Sequence, residues 1–221
     1  MTVDDPGRFF LTVLAQILGQ EGIPVRGRVR LVEPGEALPA LTTLIEHRSH
    51  LLSAIQVANT RSQNFYAEQI LKTLGREVLG EGSFERGVEV VTTFLEGRGL
   101  NPEGYHLTDG SGMSRENRLS ARCITDLLAV MAHSPLADQY MESLSQAGVD
   151  GSMRSRLREP EFAGKVFGKT GTLSGVRALS GYVRSERGEL LAYSFLMNGP
   201  AAGNWRAREC QNDALKALAR Y

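Results

Sequence analysis

The sequence predicts an α/β (α+β) fold in which an antiparallel sheet is flanked by helices and joined to a helical region. Three observations carry this. Apolar residues recur at helical spacing through most of the first 145 positions, strand-like segments crowd between Gly164 and Asn198, and an amphipathic stretch closes the chain.

The elements follow in order. Asp5-Pro6 ahead of Phe9, Phe10, Val13, Leu14, Ile17 and Leu18 reads as a capped helix ended by Gly19 and Gly22. Pro24 to Glu33 alternates apolar and basic residues, as a half-buried strand does, and Pro34-Gly35 is a turn. From Leu41 to Gly75 the pattern is helical with one interruption. Leu51, Leu52, Ile55 and Ala58 form one stripe, and Phe65, Ala67, Ile70, Leu71 and Leu74 form another. Ser83 to Glu96 is a further helix closed by Gly97 and Gly99. Leu107 to Ser120 is rich in turn formers and reads as a surface loop, of a length that tends to be mobile or functional. Ser120 caps a helix carrying Ile124, Leu127, Leu128 and Met131, and Pro135 opens another that runs through Met141 and Leu144. Gly148 to Pro160 is a basic turn-and-helix segment. Gly164–Leu173, Arg177–Ser185 and Glu189–Asn198 are strands, the last two joined as a hairpin. A terminal helix places Ala207, Cys210, Ala214, Leu218 and Tyr221 on one side.

Acidic and basic side chains balance at 25 each, so nothing points to a nucleic acid or a membrane surface as partner. No apolar run is long enough to span a bilayer, and the acidic N-terminus lacks the positive start of a secretory signal. Cys123 and Cys210, each in a helical segment, read as two small buried residues rather than a disulfide. His47 and His50 stand three apart, but no cysteine or carboxylate pattern completes a metal site, and no cofactor is implied.

Two polar stretches stand out. Asn59 to Asn64 puts six polar residues between two apolar helices, more than a helix cap by Ser62 or Asn64 requires. GKVFGKTGTL, Gly164 to Leu173, is a strand delivering Lys169, Thr170 and Thr172 to one place, donors suited to a carboxylate or a phosphate. Gly171 leaves room there for a ligand backbone. A phosphate loop would need glycine at 163, where Ala163 stands, and a helix rather than a strand afterwards.

Together ANTRSQNFYAEQILKTLG (Ala58 to Gly75), DGSGMSRENRLSA (Asp109 to Ala121) and GKVFGKTGTLSGVRALSGYV (Gly164 to Val183) resemble the class C low-molecular-mass penicillin-binding proteins, serine D-alanyl-D-alanine carboxypeptidases and endopeptidases of bacterial cell walls. The resemblance implies a partial penicillin-recognising fold. Residues 1–40 would follow the family's inserted domains, and 41–221 would form the C-terminal part of the transpeptidase-like domain, helical over 41–160, with the sheet and terminal helix over 161–221. It implies Ser62 and Asn64 as the Ser-x-Asn motif, with Gln63 in its variable middle, and Lys169, Thr170 and Gly171 as Lys-Thr-Gly. Ser62 would relay a proton to the leaving amine, and Asn64 would bind the substrate amide. Lys169, Thr170 and Thr172 would hold the terminal carboxylate, with the Thr172 N–H as an oxyanion donor. The loop carrying Asp109, Ser111, Ser114 and Arg115 would support the cleft. The expected partners are peptidoglycan peptides ending in D-Ala-D-Ala, in a periplasmic or cell-envelope setting.

One departure decides the chemistry. The family's nucleophile sits in Ser-x-x-Lys, yet the residues three before Lys72, Lys165, Lys169 and Lys216 are Gln69, Phe162, Val166 and Asp213. Loss of the nucleophile from such a unit costs on the order of a millionfold in rate. The sequence therefore reads as the C-terminal portion of such an enzyme, with a separate N-terminal half as a further expected partner and the outer edge of the Glu189–Asn198 strand left open. A non-catalytic module binding wall peptides is the second reading. An unrelated cytosolic α/β protein whose motifs coincide by chance is the third, and it would gain ground if Ser62 and Lys169 lay far apart.

Overall fold

The computed structural model describes residues 3–28, 30–32, 35–43, 45–199 and 203–221. The chain divides into two compact units, Met1–His47 and Arg48–Tyr221.

In the first unit α1 spans Pro6–Gln20, with the Asp5 carboxylate accepting from the Arg8 N–H at 2.9 Å and Pro6 in the first turn. None of its residues is buried, and Phe10 is 62% exposed. The strand expected over Pro24–Glu33 does not form in the described residues, and Glu33 and Pro34 lie outside them. A strand needs a neighbour for its N–H and C=O groups, and no described segment of this unit is a strand. Arg30 instead pairs with Glu36 at 2.7 Å.

The second unit opens with α2, Leu51–Thr60, and α3, Asn64–Leu79. The helical expectation for 41–50 fails in the described residues. Thr42, Thr43 and Ile45 are β-branched and lose side-chain freedom in a helix. Next, α4 covers Phe84–Gly97 and is capped by Ser83, while Gly87 lets its backbone approach Leu71 of α3. The short strands β1, Tyr105–His106, and β2, Arg118–Leu119, pair and close the base of the polar loop. Then come α5, Ala121–Ala132, capped by Ser120, and α6, Ala137–Ser143, shorter than expected because the chain turns into strand β3, Ser145–Gln146.

The main sheet has the order β3-β4-β5-β6, all antiparallel, with β4 at Val166–Leu173, β5 at Val176–Arg184 and β6 at Leu190–Asn198. Its two faces are covered differently. On one, Val166, Leu179, Val183 and Tyr193 pack against Leu215 and Ala219 of the terminal helix α7, Gly203–Arg220. On the other, Tyr182 packs with Leu128 of α5 and Met141 of α6, and its hydroxyl donates to the Leu128 carbonyl at 2.6 Å. The buried stripe of α7 is Ala207, Gln211, Leu215 and Ala219, one residue out of phase with the apolar count, and Cys210 is exposed rather than buried. The shift has a polar cause, since the buried Gln211 accepts through Oε1 from the buried Arg156 at 3.2 Å. Strand β6 is outermost, with no strand paired to its far edge among the described residues.

Candidate active site

Strand β4 is covered by β3 only at Phe167 and Gly168, so its edge from Lys169 onward has no strand partner among the described residues. The Val166 carbonyl accepts from Ala147 N–H on that side. With a period of two, the backbone groups of Thr170 and Thr172 therefore also point out of the free edge, while their neighbours pair with β5. A peptide laid here would meet strand-edge N–H and C=O groups with no strand partner among the described residues, of which the Thr170 carbonyl already accepts from Lys169 Nζ.

The pleat separates the motif's side chains. Lys169 leaves one face and donates to the Ser62 hydroxyl at 2.6 Å and to the Thr170 carbonyl at 2.7 Å. Thr170 and Thr172 leave the other, where Thr170 donates to Ser152 Oγ at 2.8 Å and the Thr172 hydroxyl accepts from Arg177. The donors expected in one place thus straddle the strand. Burial pulls the Lys169 ammonium below the ordinary lysine pKa.

Ser62 and Lys169 are 107 residues apart in sequence, and their contact removes the separation that would have favoured the unrelated-protein reading. Ser62 caps no helix: Gln63 holds the N-cap position of α3 without a side-chain bond, and Asn64 is the exposed first residue of that helix. Ser62 also has φ 54°, in the left-handed region that few non-glycine residues occupy.

Beneath it lies a polar network that the sequence did not reveal. Asn59 donates to Ser143 Oγ at 2.8 Å, Thr60 to the Ser143 carbonyl at 3.0 Å, and Ser145 to the Thr60 carbonyl at 3.2 Å. Ser145 Oγ also accepts from the Ser152 N–H at 3.2 Å. Ser143 and Ser145 are fully buried. Gly151, at φ 51°, borders this network, and a Cβ there would stand 2.6 Å from the Thr60 carbonyl oxygen. Three serines within ten residues, in SLSQAGVDGS, were the only available sign.

The supporting loop is built around Asp109. Its carboxylate accepts from the Gly112 N–H at 2.7 Å, the Ser114 N–H at 2.6 Å and Asn117 Nδ2 at 2.8 Å. Glu68 of α3 clamps the loop through the N–H groups of Gly110 at 2.8 Å and Ser111 at 3.2 Å. Arg115 reaches the Ser174 carbonyl at 3.1 Å, at the far end of the open edge. The structure thus brings Ser62, Lys169, Thr170, Gly171, Thr172 and the loop around one edge strand, with Asn64 two residues from Ser62.

The D-Ala-D-Ala carboxypeptidase 3 (S13) family model matches residues 1–221. The chain belongs to that family. Within the S13 family it is 37% identical over 204 residues to a D-alanyl-D-alanine carboxypeptidase of Actinomadura sp. (strain R39), covering 90% of this chain and 38% of that protein. It is 27% identical over 210 residues to the D-alanyl-D-alanine carboxypeptidase DacB of Haemophilus influenzae, covering 93% of this chain and 43% of the relative. The fold is similar to a crystal structure of penicillin binding protein 4 (dacB) from Haemophilus influenzae complexed with a β-lactam, at TM-score 0.86 and 27% identity, over 100% of this chain and 53% of that one. This S13 chain therefore spans about half or less of the length of the relatives it matches. No helix among its described residues is long and apolar enough to cross a membrane.

Proposed function

We propose that this chain forms the carboxylate-side half of the cleft of a serine D-Ala-D-Ala carboxypeptidase or endopeptidase acting on peptidoglycan stem peptides in the cell envelope. The observation that carries the reading is the 2.6 Å hydrogen bond from Lys169 Nζ to Ser62 Oγ beside an unpaired strand edge. A peptide ending in D-Ala-D-Ala adds to that edge as an extended strand, its backbone meeting the outward groups of Thr170 and Thr172.

The reaction splits acyl transfer into two steps. A serine oxygen attacks the carbonyl between the two D-alanines, the C–N bond breaks, terminal D-alanine leaves with a proton, and water then hydrolyses the ester. In that sequence Ser62, held by the Lys169 ammonium, passes the proton to the departing nitrogen. Asn64 hydrogen-bonds the substrate amide, the Thr172 N–H stabilises the oxyanion, and the Asp109–Arg115 loop closes the end of the edge.

No Ser-x-x-Lys is present in residues 1–221, so on this reading the nucleophile lies outside them, on a further stretch of the same protein or on a separate polypeptide, and residues 1–221 alone do not acylate. Fluorescent penicillin labelling tests this. The chain alone remains unlabelled, and adding a polypeptide with the Ser-x-x-Lys segment restores labelling on that polypeptide. Labelling of the isolated chain contradicts the reading.

The missing motif also supports a second reading, a non-catalytic module that binds stem peptides through the same edge. Saturable binding of a D-Ala-D-Ala peptide that Lys169→Ala weakens, with no restoration of labelling by any Ser-x-x-Lys partner, selects it. Absence of saturable binding excludes it.

A further inference from the structure

The basic segment 148–160 contributes Gly151 and Ser152 to the network beneath Ser62, and it also frames an open recess of about 510 Å³. Gly148, Val149, Gly151, Arg154, Ser155 and Arg158 line this recess, with no acidic residue and no residue of β4 among them. Residues 151–158, GSMRSRLR, hold three arginines and no aspartate or glutamate, in a chain whose charges otherwise balance. The acids that flank the segment are engaged elsewhere. Asp150 accepts the Gln146 N–H at 2.8 Å, while Glu159 and Glu161 pair with Lys216 at 2.6 Å and Arg220 at 3.1 Å, both on α7.

The two arginines at the recess are exposed but fixed at their roots. Met153 and Leu157, which precede Arg154 and Arg158, are buried in the core cluster that Leu215 and Ala219 of α7 complete. Leu157 stands at φ 47°, in the left-handed region, where the chain passes from the buried Arg156 to the exposed Arg158. Neither the Arg154 nor the Arg158 side chain has a hydrogen bond or ion pair among the described residues. Ser155, between them, is held by Arg208, which donates to its hydroxyl at 2.8 Å and its carbonyl at 3.2 Å and adds positive charge. Because that hydroxyl accepts from Arg208, its own proton is left to donate. A concave surface carrying one sign of charge and no counter-charge concentrates anions.

We propose that this recess is a binding site for a phosphate monoester, its terminal phosphate held between Arg154 and Arg158. A monoester carries three terminal oxygens and close to two negative charges. It can therefore accept paired bonds from two guanidinium forks and a further bond from the Ser155 hydroxyl, whereas a carboxylate is satisfied by one fork. The volume falls within the range of roughly 300–1,000 Å³ usual for small-molecule sites, so the esterified alcohol has room beside the phosphate. Since the recess is open to solvent, binding weakens as salt rises. The inference does not depend on how a peptide lies along β4, because that strand does not line the recess.

The test titrates the full chain at low ionic strength with glycerol 3-phosphate, its methyl diester, inorganic phosphate and acetate, followed by amide chemical shifts. The monoester should saturate, with shifts centred on residues 148–158, and bind about 10-fold or more tightly than the diester or acetate. Replacing both arginines, Arg154→Gln with Arg158→Gln, should weaken it by about 10-fold or more, and the corresponding lysine pair should recover only part of the loss. Arg122→Gln, at an exposed arginine on α5, should leave it within about twofold. An equal loss in Arg122→Gln would mean general charge attraction and overturn the proposal, as would diester or acetate binding as tightly as the monoester. Inorganic phosphate binding more tightly than the ester would mark a free-anion site and overturn the ester assignment. Displacement by a D-Ala-D-Ala peptide would place the phosphate in the cleft instead, and absence of saturation, or shifts centred elsewhere, would also overturn the site. None of these outcomes bears on the acylation test above.

Discussion

The left-handed backbone of Ser62 allows a separation of stability from function. An L-residue held at φ 54° costs about 1–2 kcal/mol relative to its favoured conformations. Glycine removes that cost but adds about 0.5–1 kcal/mol of conformational entropy to be lost on folding, so Ser62→Gly is worth a net gain of about 0.5–1 kcal/mol from the backbone alone. Ser62→Ala keeps the strain, and both variants lose the exposed hydrogen bond from Lys169 equally. Comparing the two therefore isolates the strain. In a chain of this size the glycine variant should melt about 1–4 °C above the alanine variant by scanning calorimetry. Both lack the hydroxyl, so both should fail to support acylation in a completed cleft. A glycine variant melting at or below the alanine variant would show that Ser62 stores no strain, and the argument that the site holds its hydroxyl against a backbone preference would fail with it.

The remaining expectations are simpler to state. Leu215, fully buried between α7 and the sheet, should cost about 2–5 kcal/mol as Leu215→Ala, read from the urea midpoint, and a loss below 1 kcal/mol would mean that α7 does not seal this face. Ser145→Ala orphans the Thr60 carbonyl and the Ser152 N–H and should cost about 1–3 kcal/mol, with faster amide exchange in the last turn of α2; unchanged exchange there would refute the coupling. Because burial lowers the Lys169 pKa in the folded state, the unfolded chain binds more protons between the folded and unfolded values, and stability rises with pH across that window. The penalty is fully present below it, so Lys169→Met should flatten the alkaline limb of the stability curve, and parallel curves for the two proteins would contradict this. Thiol titration of the native chain should find Cys210 fast and Cys123 slow, since Cys123 is buried and its thiol is raised by burial; two fast thiols would refute the packing of α5.

What the sequence disclosed and what it concealed follow a physical division. Ser120 announced α5 because a cap is local, α4 was legible from its apolar spacing and closing glycines, and β4, β5 and β6 were legible because short turns separate them. The segment at 24–32 alternated properly but found no partner strand, a fact no local pattern carries. The phase of α7 departs by one residue from its apolar count because Gln211, a polar side chain, occupies a core position where it meets Arg156. Lys169 and Ser62 were recognisable as types. The hydrogen bond from Arg177 to the Thr172 hydroxyl was not, because it depends on the register of β5 against β4.

The serine network explains how a contact across 107 residues can be set to hydrogen-bond length. Ser62 follows the last turn of α2, and that turn is tied by Asn59 and Thr60 to Ser143 and by the Thr60 carbonyl to Ser145. Ser145 is itself a residue of β3, paired with Gly168, the neighbour of Lys169. The route from hydroxyl to ammonium therefore runs through one helix end, two fully buried serines and one strand pair, with no long loop in it. The hydrogen bonds among these links are partly buried, and leaving either partner of such a bond unpaired is expensive. Positional accuracy at the cleft is thus bought by polar groups in the interior rather than by apolar packing around the cleft itself. The same logic separates the two faces of β4: among the described residues, buried side-chain N–H groups of Arg177 and Gln211 have no acceptor, whereas no buried side-chain atom on the Ser62 face lacks a partner.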